Sequence, residues 1–244
     1  MMKSIIICEG ETDFALLQYF MITVNGWQDS GKYAFKPIKE SKSRDFIKGV
    51  NLLTIISAGG CANIKEIFSA VVRYNQNAVS HDERYSKVVV LTDNDEENSE
   101  SKIISDLQAV SNSNIDLKNN KWSTLSFTDM TDNKTSFSVE LLLLLIPFEE
   151  NGALETFLLN AVSKQDKYDA EIIRKGNAFV ETSDPEAKYL KHRYLKTKAK
   201  FDVYFSIRTP IKQFAMRQDI LKNVPWEQYE SICEAFKELK KLDK

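Results

Sequence analysis

The sequence has few of the residues that build disulfide frameworks or soft-metal sites. Its 244 residues include three cysteines, Cys8, Cys61 and Cys233, and two histidines, His81 and His192. An odd number of cysteines without CxxC spacing predicts neither a disulfide framework nor a zinc site. With so few histidines, an imidazole-based metal centre is not expected either.

Long apolar runs are also absent. The longest, residues 139–148, is interrupted by Glu140 and Pro147, and it falls short of the roughly 18 consecutive apolar residues that a membrane span needs. The apolar run near the start contains three isoleucines and ends at Glu9, which is too short for a signal peptide. We therefore expect a cytoplasmic protein with no membrane partner.

Charge is distributed unevenly along the chain. The formal net charge is −2, but residues 186–222 contain ten basic and three acidic residues, so this basic segment carries +7 and the remainder −9. A basic segment on an acidic body suits a polyanionic ligand. A solvated, lysine-rich helix face explains the same run equally well.

Strand-like and helix-like segments alternate in the first half of the chain. Runs of apolar, often β-branched residues at 3–8, 51–57 and 87–92 predict buried strands, each followed by a segment with helical spacing. Residues 122–127 are a fourth predicted strand. The alternation predicts an α/β fold with a parallel sheet that helices cover on both faces.

The second half reads as mainly helical. The apolar run at 139–146 fits a buried helix or a strand, and its five leucines favour a helix. We therefore expect one domain at residues 1–135 and a mainly helical C-terminal region at 136–244 that contains the basic segment. The remaining predictions are helices at about 153–163, 185–199, 211–221 and 226–242, and loops at 28–43 and 112–121.

Two acidic motifs directly follow predicted strands. Glu9 follows the first strand, and Asp93 and Asp95 follow the third. Residues two apart in an extended segment point to the same side, and Glu9 can approach from an adjacent strand. A cation shared between the strand ends would offset the cost of burying these carboxylates, and oxygen ligands favour magnesium, manganese or calcium. An Asp-Asn-Asp turn and a solvated or helix-capping Glu9 are the structural alternatives.

Three glycines also stand at predicted strand ends, after the first and second strands. Gly10, Gly59 and Gly60 would let the backbone approach a phosphate closely, and the amides of the following helices could bind it. A plain turn from strand to helix explains the glycine pair equally well.

The order and spacing of these motifs resemble the TOPRIM domain of topoisomerases, bacterial primases, ribosomal-RNA maturases and OLD-type nucleases. The resemblance spans roughly residues 3–130, and its motifs are Glu9-Gly10-(x)2-Asp13 and Asp93-x-Asp95. It implies a TOPRIM-like, Rossmann-type, four-stranded parallel sheet with magnesium at the acidic cluster. It also implies that Glu9 is the acid–base or metal-binding glutamate and that Asp93 and Asp95 bind the metal. Asp13 matches the acidic position of the maturase-like branch and can alternatively serve as a first-turn helix charge.

Later segments resemble a poorly characterised bacterial group of TOPRIM-like proteins. The resemblance rests on Ser138-Val139-Glu140-Leu141 and on the stretch 198–208. The sequence departs from the TOPRIM pattern at Glu97 and its neighbour Glu96, because the pattern often has small residues at these positions. Glu97 and Glu140 are additional candidate ligands, although each can equally be a charge at a helix start.

The basic segment supplies candidate contacts to a nucleic-acid backbone, namely Lys196, Lys198, Lys200 and Arg208. Aromatic residues interleave with these cations. They can stack on bases or form a core, and they are Tyr189, Tyr194, Phe201, Tyr204 and Phe205.

These features favour a Mg²⁺- or Mn²⁺-dependent TOPRIM-like nuclease, or a related phosphodiester-processing enzyme, acting on DNA or RNA. No tyrosine nucleophile of the topoisomerase type stands out, so hydrolysis is favoured over strand passage. One alternative is a non-catalytic nucleotide- or nucleic-acid-binding module in a defence or regulatory system. Another is a glycosyltransferase whose Asp93-x-Asp95 binds a metal–nucleotide. Candidate protein partners are a second copy of the chain and an ATPase. The ATPase would have to be a separate chain, because the sequence has no GxxxxGK[ST] motif.

Overall fold

Seven strands and eight α-helices make up the computed structural model, which describes residues 1–31, 35, 37–39, 41–111, 116–128, 136–148, 150–210 and 217–244. The strands are β1 (Lys3–Cys8), β2 (Gln28–Asp29), β3 (Lys42–Lys48), β4 (Asn51–Ser57), β5 (Tyr85–Asp93), β6 (Trp122–Thr128) and β7 (Ser136–Ile146). The helices are α1 (Glu11–Thr23), α2 (Ile64–Gln76), α3 (Ser99–Ser111), α4 (Leu154–Gln165), α5 (Lys167–Ser183), α6 (Arg193–Arg208), α7 (Arg217–Leu221) and α8 (Glu230–Ala235).

All seven strands form one sheet in the order β2-β3-β4-β1-β5-β7-β6. The four central strands, β4, β1, β5 and β7, run parallel, whereas β3 pairs antiparallel with β4, and β6 with β7. The expected α/β class is confirmed. The expected four-stranded sheet is wrong, because antiparallel edge strands extend the parallel centre on both sides.

The leucine-rich run that we expected to be helical is the central strand β7. Leu141 to Leu145 pair with Val88 to Thr92 of β5. Leu142 and Leu144 pack into the core on one face of the sheet, and Leu141, Leu143 and Leu145 into the core on the other. A strand covered on both faces is apolar at every position, which erases the alternation that identifies a half-exposed strand.

Each face of the sheet carries its own hydrophobic core. Along β1, Ile5 and Ile7 pack against α2 and α3, while Ile6 and Cys8 pack against a core that includes α1, α4 and α6. This alternation follows from the period of two along a strand. Helices from both halves of the chain cover the sheet. The carboxyl ends of the parallel strands lie at the edge of the sheet, between the helices of its two faces.

The helices predicted after β7 agree only in part with the structure. The expected helix at 153–163 corresponds to α4, but α5 was not predicted, and the expected helix at 185–199 is displaced because α6 begins only at Arg193. Most of the predicted helix 211–221 lies outside the described residues, and the region 226–242 is divided between α8 and two short 3-10 segments. The predicted loop at 28–43 contains β2 and the beginning of β3. Within the described part of the chain, no helix has the length and apolar character that crossing a membrane requires.

Candidate functional site

The predicted metal ligands line one cavity at the carboxyl ends of β1 and β5. Glu9, Asp93 and Asp95 line this cavity of about 480 Å³ together with Glu155 from the first turn of α4. An adjoining cavity of about 430 Å³ shares Glu9, Asp93 and Glu155 and adds Asp13. We call these two spaces together the acidic cavity. The first acidic motif therefore lies beside the second, as their positions after neighbouring strands predict.

Glu9 joins the ends of β1 and β5. Its Oε2 atom accepts hydrogen bonds from Thr92 Oγ1 at 2.7 Å and from the Asp93 backbone amide at 3.3 Å. The contact follows from the parallel register, in which Cys8 lies opposite Leu91, so the next residue of each strand is also adjacent. The two hydrogen bonds orient the half-buried Glu9 carboxylate at the cavity wall.

Asp93 is held by the helix that follows β7. Its Oδ1 atom accepts a hydrogen bond from the backbone amide of Leu154 at 3.0 Å. Burial raises the pKa of Asp93 well above its ordinary value, and the charges of Asp13, Glu9 and Glu155 raise it further. Asp93 therefore has both a structural role, at the start of α4, and an electrostatic coupling to three other carboxylates.

Asp13 is the most buried of the predicted acidic residues. Its Oδ2 atom accepts a hydrogen bond from the Gly10 backbone amide at 2.6 Å, so Asp13 stabilises the start of α1. Burial raises its pKa to about 8, the charges of Glu9 and Glu155 contribute in the same direction, and the Gly10 amide and Lys198 oppose the rise. Asp13 thus combines a capping role with a position inside the charged cluster.

Glu155 belongs to the acidic cavity but was not predicted. Its side chain is 5% exposed and affects the pKa of both Asp13 and Asp93. It lies in the first turn of α4, the helix that follows the carboxyl end of β7, and ligand sites in such sheets are built at the carboxyl ends of strands. The sequence analysis favoured a helix at 139–146 and therefore predicted no strand end there. Glu155 was not considered as a site residue for this reason.

The chemistry of this cluster fits a hard divalent cation, whereas a complete coordination shell is not preassembled. Carboxylate oxygens are the donors that Mg²⁺ and Mn²⁺ prefer. Burial and, to a lesser extent, the neighbouring negative charges raise the pKa values of Asp13 and Asp93, and a cation would offset those charges. In the described residues, however, no three Asp, Glu, His or Cys side chains are arranged to hold one metal ion together. Metal binding at Glu9, Asp93 and Asp95 would therefore require side-chain rotation, for which the exposed Asp95 has room.

The glycine pair forms the turn between β4 and α2 beside Glu9. Gly59 and Gly60 have φ values of 74° and 138°, a region that favours glycine, and the Gly60 amide donates to the Glu9 carbonyl at 3.0 Å. Both glycines and Gly10 line the acidic cavity. The turn explanation is therefore sufficient for the pair, and the same backbone forms part of the cavity wall.

Of the predicted backbone-binding cations, only Lys198 lines the acidic cavity. Lys196 and Lys200 instead form ion pairs with Glu181 of α5, at 3.1 and 2.6 Å. Arg208 donates to the hydroxyls of Tyr204 and Tyr229 at 2.7 and 3.1 Å. These three cations tie helices together. The cavity wall beside Lys198 includes Tyr194, one of the predicted stacking aromatics, and also Arg193 and Thr197, which the sequence analysis did not single out.

The two additional predicted acids do not join the cavity. Glu140 lies opposite Lys87 near the other end of the β5–β7 pair and forms an ion pair with it at 3.4 Å. Glu97 is exposed, and its neighbour Glu96 lines the cavity instead. The predicted aromatic set also divides, because Phe201, Tyr204 and Phe205 are buried in the core while Tyr189 and Tyr194 are exposed.

Comparison with known proteins identifies the family and adds no activity. A crystal structure of the hypothetical protein PH0156 from Pyrococcus horikoshii OT3 is similar over 100% of both chains, with 16% sequence identity and a TM-score of 0.54. This likeness concerns the fold alone. Comparison with curated proteins gives no match. A family model described as a protein of unknown function (DUF3226) matches residues 3–242, so the chain belongs to this family.

Proposed function

We propose that this protein is a Mg²⁺- or Mn²⁺-dependent, TOPRIM-like nuclease or related phosphodiester-processing enzyme that acts on DNA or RNA. The observation that carries the proposal is the convergence of Glu9, Asp13, Asp93 and Glu155 on a cavity that Lys198 also lines. Paired carboxylates and a facing cation are the groups that metal-assisted phosphoryl chemistry requires.

Glu9, Asp93 and Asp95 are the residues that would hold the cation. When bound, the ion would polarise the scissile phosphate and stabilise its developing negative charge. Burial raises the pKa values of Asp13 and Asp93, and repulsion from the neighbouring carboxylates raises them further. The repulsive part supports this assignment, because a bound cation would relieve it.

The protein's own side chains account for orientation and proton transfer. Glu9, held through Oε2 by Thr92 and the Asp93 amide, accepts a proton from the attacking water. The water oxygen forms a bond to phosphorus, the bond to the leaving oxygen breaks, and that oxygen takes up a proton from a solvent water molecule. Lys198 attracts the phosphate to the cavity, and the hydrogen bond from the Leu154 amide holds the Asp93 carboxylate in place.

A cleavage assay tests the proposal. Purified protein is incubated with single-stranded and duplex DNA and RNA in Mg²⁺ or Mn²⁺, alongside Glu9→Gln, Asp93→Asn and the control Glu140→Gln, whose side chain lies outside the cavity. We expect cleavage by the wild type and the control, and at least a hundredfold loss, on the order of that seen when one catalytic group is removed, in the two cavity variants. Undiminished cleavage in both variants would overturn the proposal.

A non-catalytic, metal-dependent binding module is the second candidate. It is favoured by the lack, among described side chains, of three donors already arranged around one metal position. This alternative predicts that calorimetry detects Mg²⁺ and nucleic-acid binding while the same preparation cleaves no strand. Turnover that depends on Glu9 excludes it.

A further inference from the structure

Two aromatic rings are exposed together at the start of α6. The rings of His192 and Tyr194 are nearly parallel, with an interplanar angle of 7° and centroids 5.7 Å apart. The Tyr194 side chain is 55% exposed, and the Lys198 ammonium lies 5.7 Å from its ring centroid. A large aromatic ring left in water forgoes the free energy of burial, which makes an exposed aromatic pair beside a cavity informative.

Tyr194 differs from the core aromatics of the same helix. Phe201 and Phe205 follow it at helical spacing and are buried in the core, but Tyr194 lies about two turns earlier, where it lines the acidic cavity with Arg193 and Lys198. The helix face therefore changes from core to cavity wall along its length. A ligand in the acidic cavity would meet this ring directly.

The segment that leads into α6 is ordered by one carboxylate. Asp184 accepts hydrogen bonds from the backbone amides of Lys188, Tyr189 and Leu190 at 3.0, 2.8 and 2.7 Å, which lower its pKa. The turn presents Lys188, next to the exposed Tyr189, at the same end of the α5–α6 hairpin. Cations and exposed rings thus occur together on a structured surface.

We propose that His192 and Tyr194 form a stacking platform for an unpaired nucleobase, which directs single-stranded or frayed nucleic acid into the acidic cavity. This inference rests on the nucleic-acid substrate class of the proposed function and narrows it. A base within a duplex has both faces covered by its neighbours, so only an unstacked base can use the platform. Arg193 and Lys198 beside the rings match the negative phosphates on either side of such a base.

Binding measurements in a chelator separate stacking from charge. Fluorescence anisotropy compares a short labelled single strand, its duplex and an abasic strand of equal length, each as DNA and as RNA. The proteins are wild type, Tyr194→Ala, Tyr194→Phe and the control Tyr168→Ala, which removes a 77% exposed ring on α5. We expect Tyr194→Ala to weaken single-strand binding roughly 5- to 150-fold, the range for loss of one stacked base. Tyr194→Phe and Tyr168→Ala should bind as wild type does.

The abasic strand and the duplex test whether the effect of Tyr194 is due to stacking on a base. The abasic strand should bind wild type and Tyr194→Ala equally, because it lacks the base that stacks, and the duplex should show no effect of the substitution. Equal single-strand affinity of Tyr194→Ala and Tyr168→Ala, or a wild-type preference for duplex, would overturn the platform. If the Mg²⁺-dependent cleavage assay still detects turnover in that case, the proposed function survives. If binding depends on Tyr194 but no cleavage is detected, the enzymatic proposal is overturned and the stacking platform is retained. If the wild type binds no strand, the enzymatic proposal and the stacking platform are both overturned.

Discussion

The carboxylate of Asp93 accepts a hydrogen bond from the backbone amide of Leu154, with 3.0 Å between Oδ1 and N. This contact joins the carboxyl end of β5 to the first turn of α4. Because Glu155 follows Leu154 directly, the same contact brings a fourth carboxylate to the cavity that Glu9 and Asp13 share. The carboxyl end of β5 and the start of α4 are therefore joined at the candidate site.

This relationship predicts different stabilities for two substitutions of Asp93. Asp93→Asn keeps an oxygen acceptor for the Leu154 amide and removes a negative charge from the cluster, whereas Asp93→Ala removes both. We expect Asp93→Ala to be less stable than Asp93→Asn by about 0.5–2 kcal/mol, the range for losing a side-chain acceptor at a helix start. Urea unfolding in a chelator measures the difference. Equal free energies of unfolding for the two variants would mean that the hydrogen bond does not stabilise α4.

The buried carboxylate of Glu155 yields a prediction about metal affinity. Glu155→Gln keeps the side-chain shape but removes a negative charge that reaches Asp13 and Asp93. We expect the Mg²⁺ concentration that gives half-maximal thermal stabilisation to rise about 10- to 100-fold, as when a group supporting metal ligands is lost. Glu140→Gln is the matched control, because that carboxylate pairs with Lys87 away from the cavity. A Glu155→Gln protein with wild-type Mg²⁺ dependence would place Glu155 outside the metal's influence.

Local sequence signals were sufficient for the strands that end in acidic motifs. β1 and β5 combine a β-branched run with a polar residue at the strand end, so the sequence predicted both their existence and the meeting of Glu9 with Asp93. It failed at β7, because a strand between two covered neighbours loses its alternation, and Leu141 to Leu145 then read like a helix. Glu155 was lost with it.

The basic segment could not be interpreted from composition alone. Lys196, Lys198 and Lys200 alternate along the sequence, but only Lys198 lines the acidic cavity, while the other two pair with Glu181. That pairing depends on the contact between α5 and α6, and α5 was not predicted. Tertiary partners, which sequence spacing does not reveal, decide which cations remain for a ligand.

The pKa of Asp13 predicts how stability depends on pH in the absence of divalent ions. Burial raises this pKa from its ordinary value of 3.8 to about 8, so between these values the folded state keeps a proton that the unfolded chain releases. The contribution of Asp13 to the free energy of unfolding therefore falls as pH rises from about 4 to about 8 and levels off above it.

Asp13→Asn should flatten part of this pH dependence, leaving the part that the raised pKa of Asp93 contributes. At pH about 8 we expect the variant to be more stable than wild type by about 1 kcal/mol or more, which is roughly 2–4 °C in Tm per kcal/mol for a chain of this size. Urea unfolding across the pH range in a chelator measures both curves. Parallel curves for wild type and Asp13→Asn would show that Asp13 ionises in the folded protein as readily as it does in the unfolded chain.

Lys198 and Lys200 should differ in the salt dependence of nucleic-acid binding. Lys200 is held by Glu181 at 2.6 Å, whereas Lys198 lines the acidic cavity. Each phosphate contact contributes about 0.7 to the slope of log affinity against log salt for a single strand. We therefore expect Lys198→Ala to lower the magnitude of that slope by about this amount and Lys200→Ala to leave it unchanged, as measured by anisotropy titrations at several salt concentrations in a chelator. Identical slopes for the two variants would remove Lys198 from the phosphate-binding surface, and a lower slope in Lys200→Ala alone would reverse the assignment of the two cations.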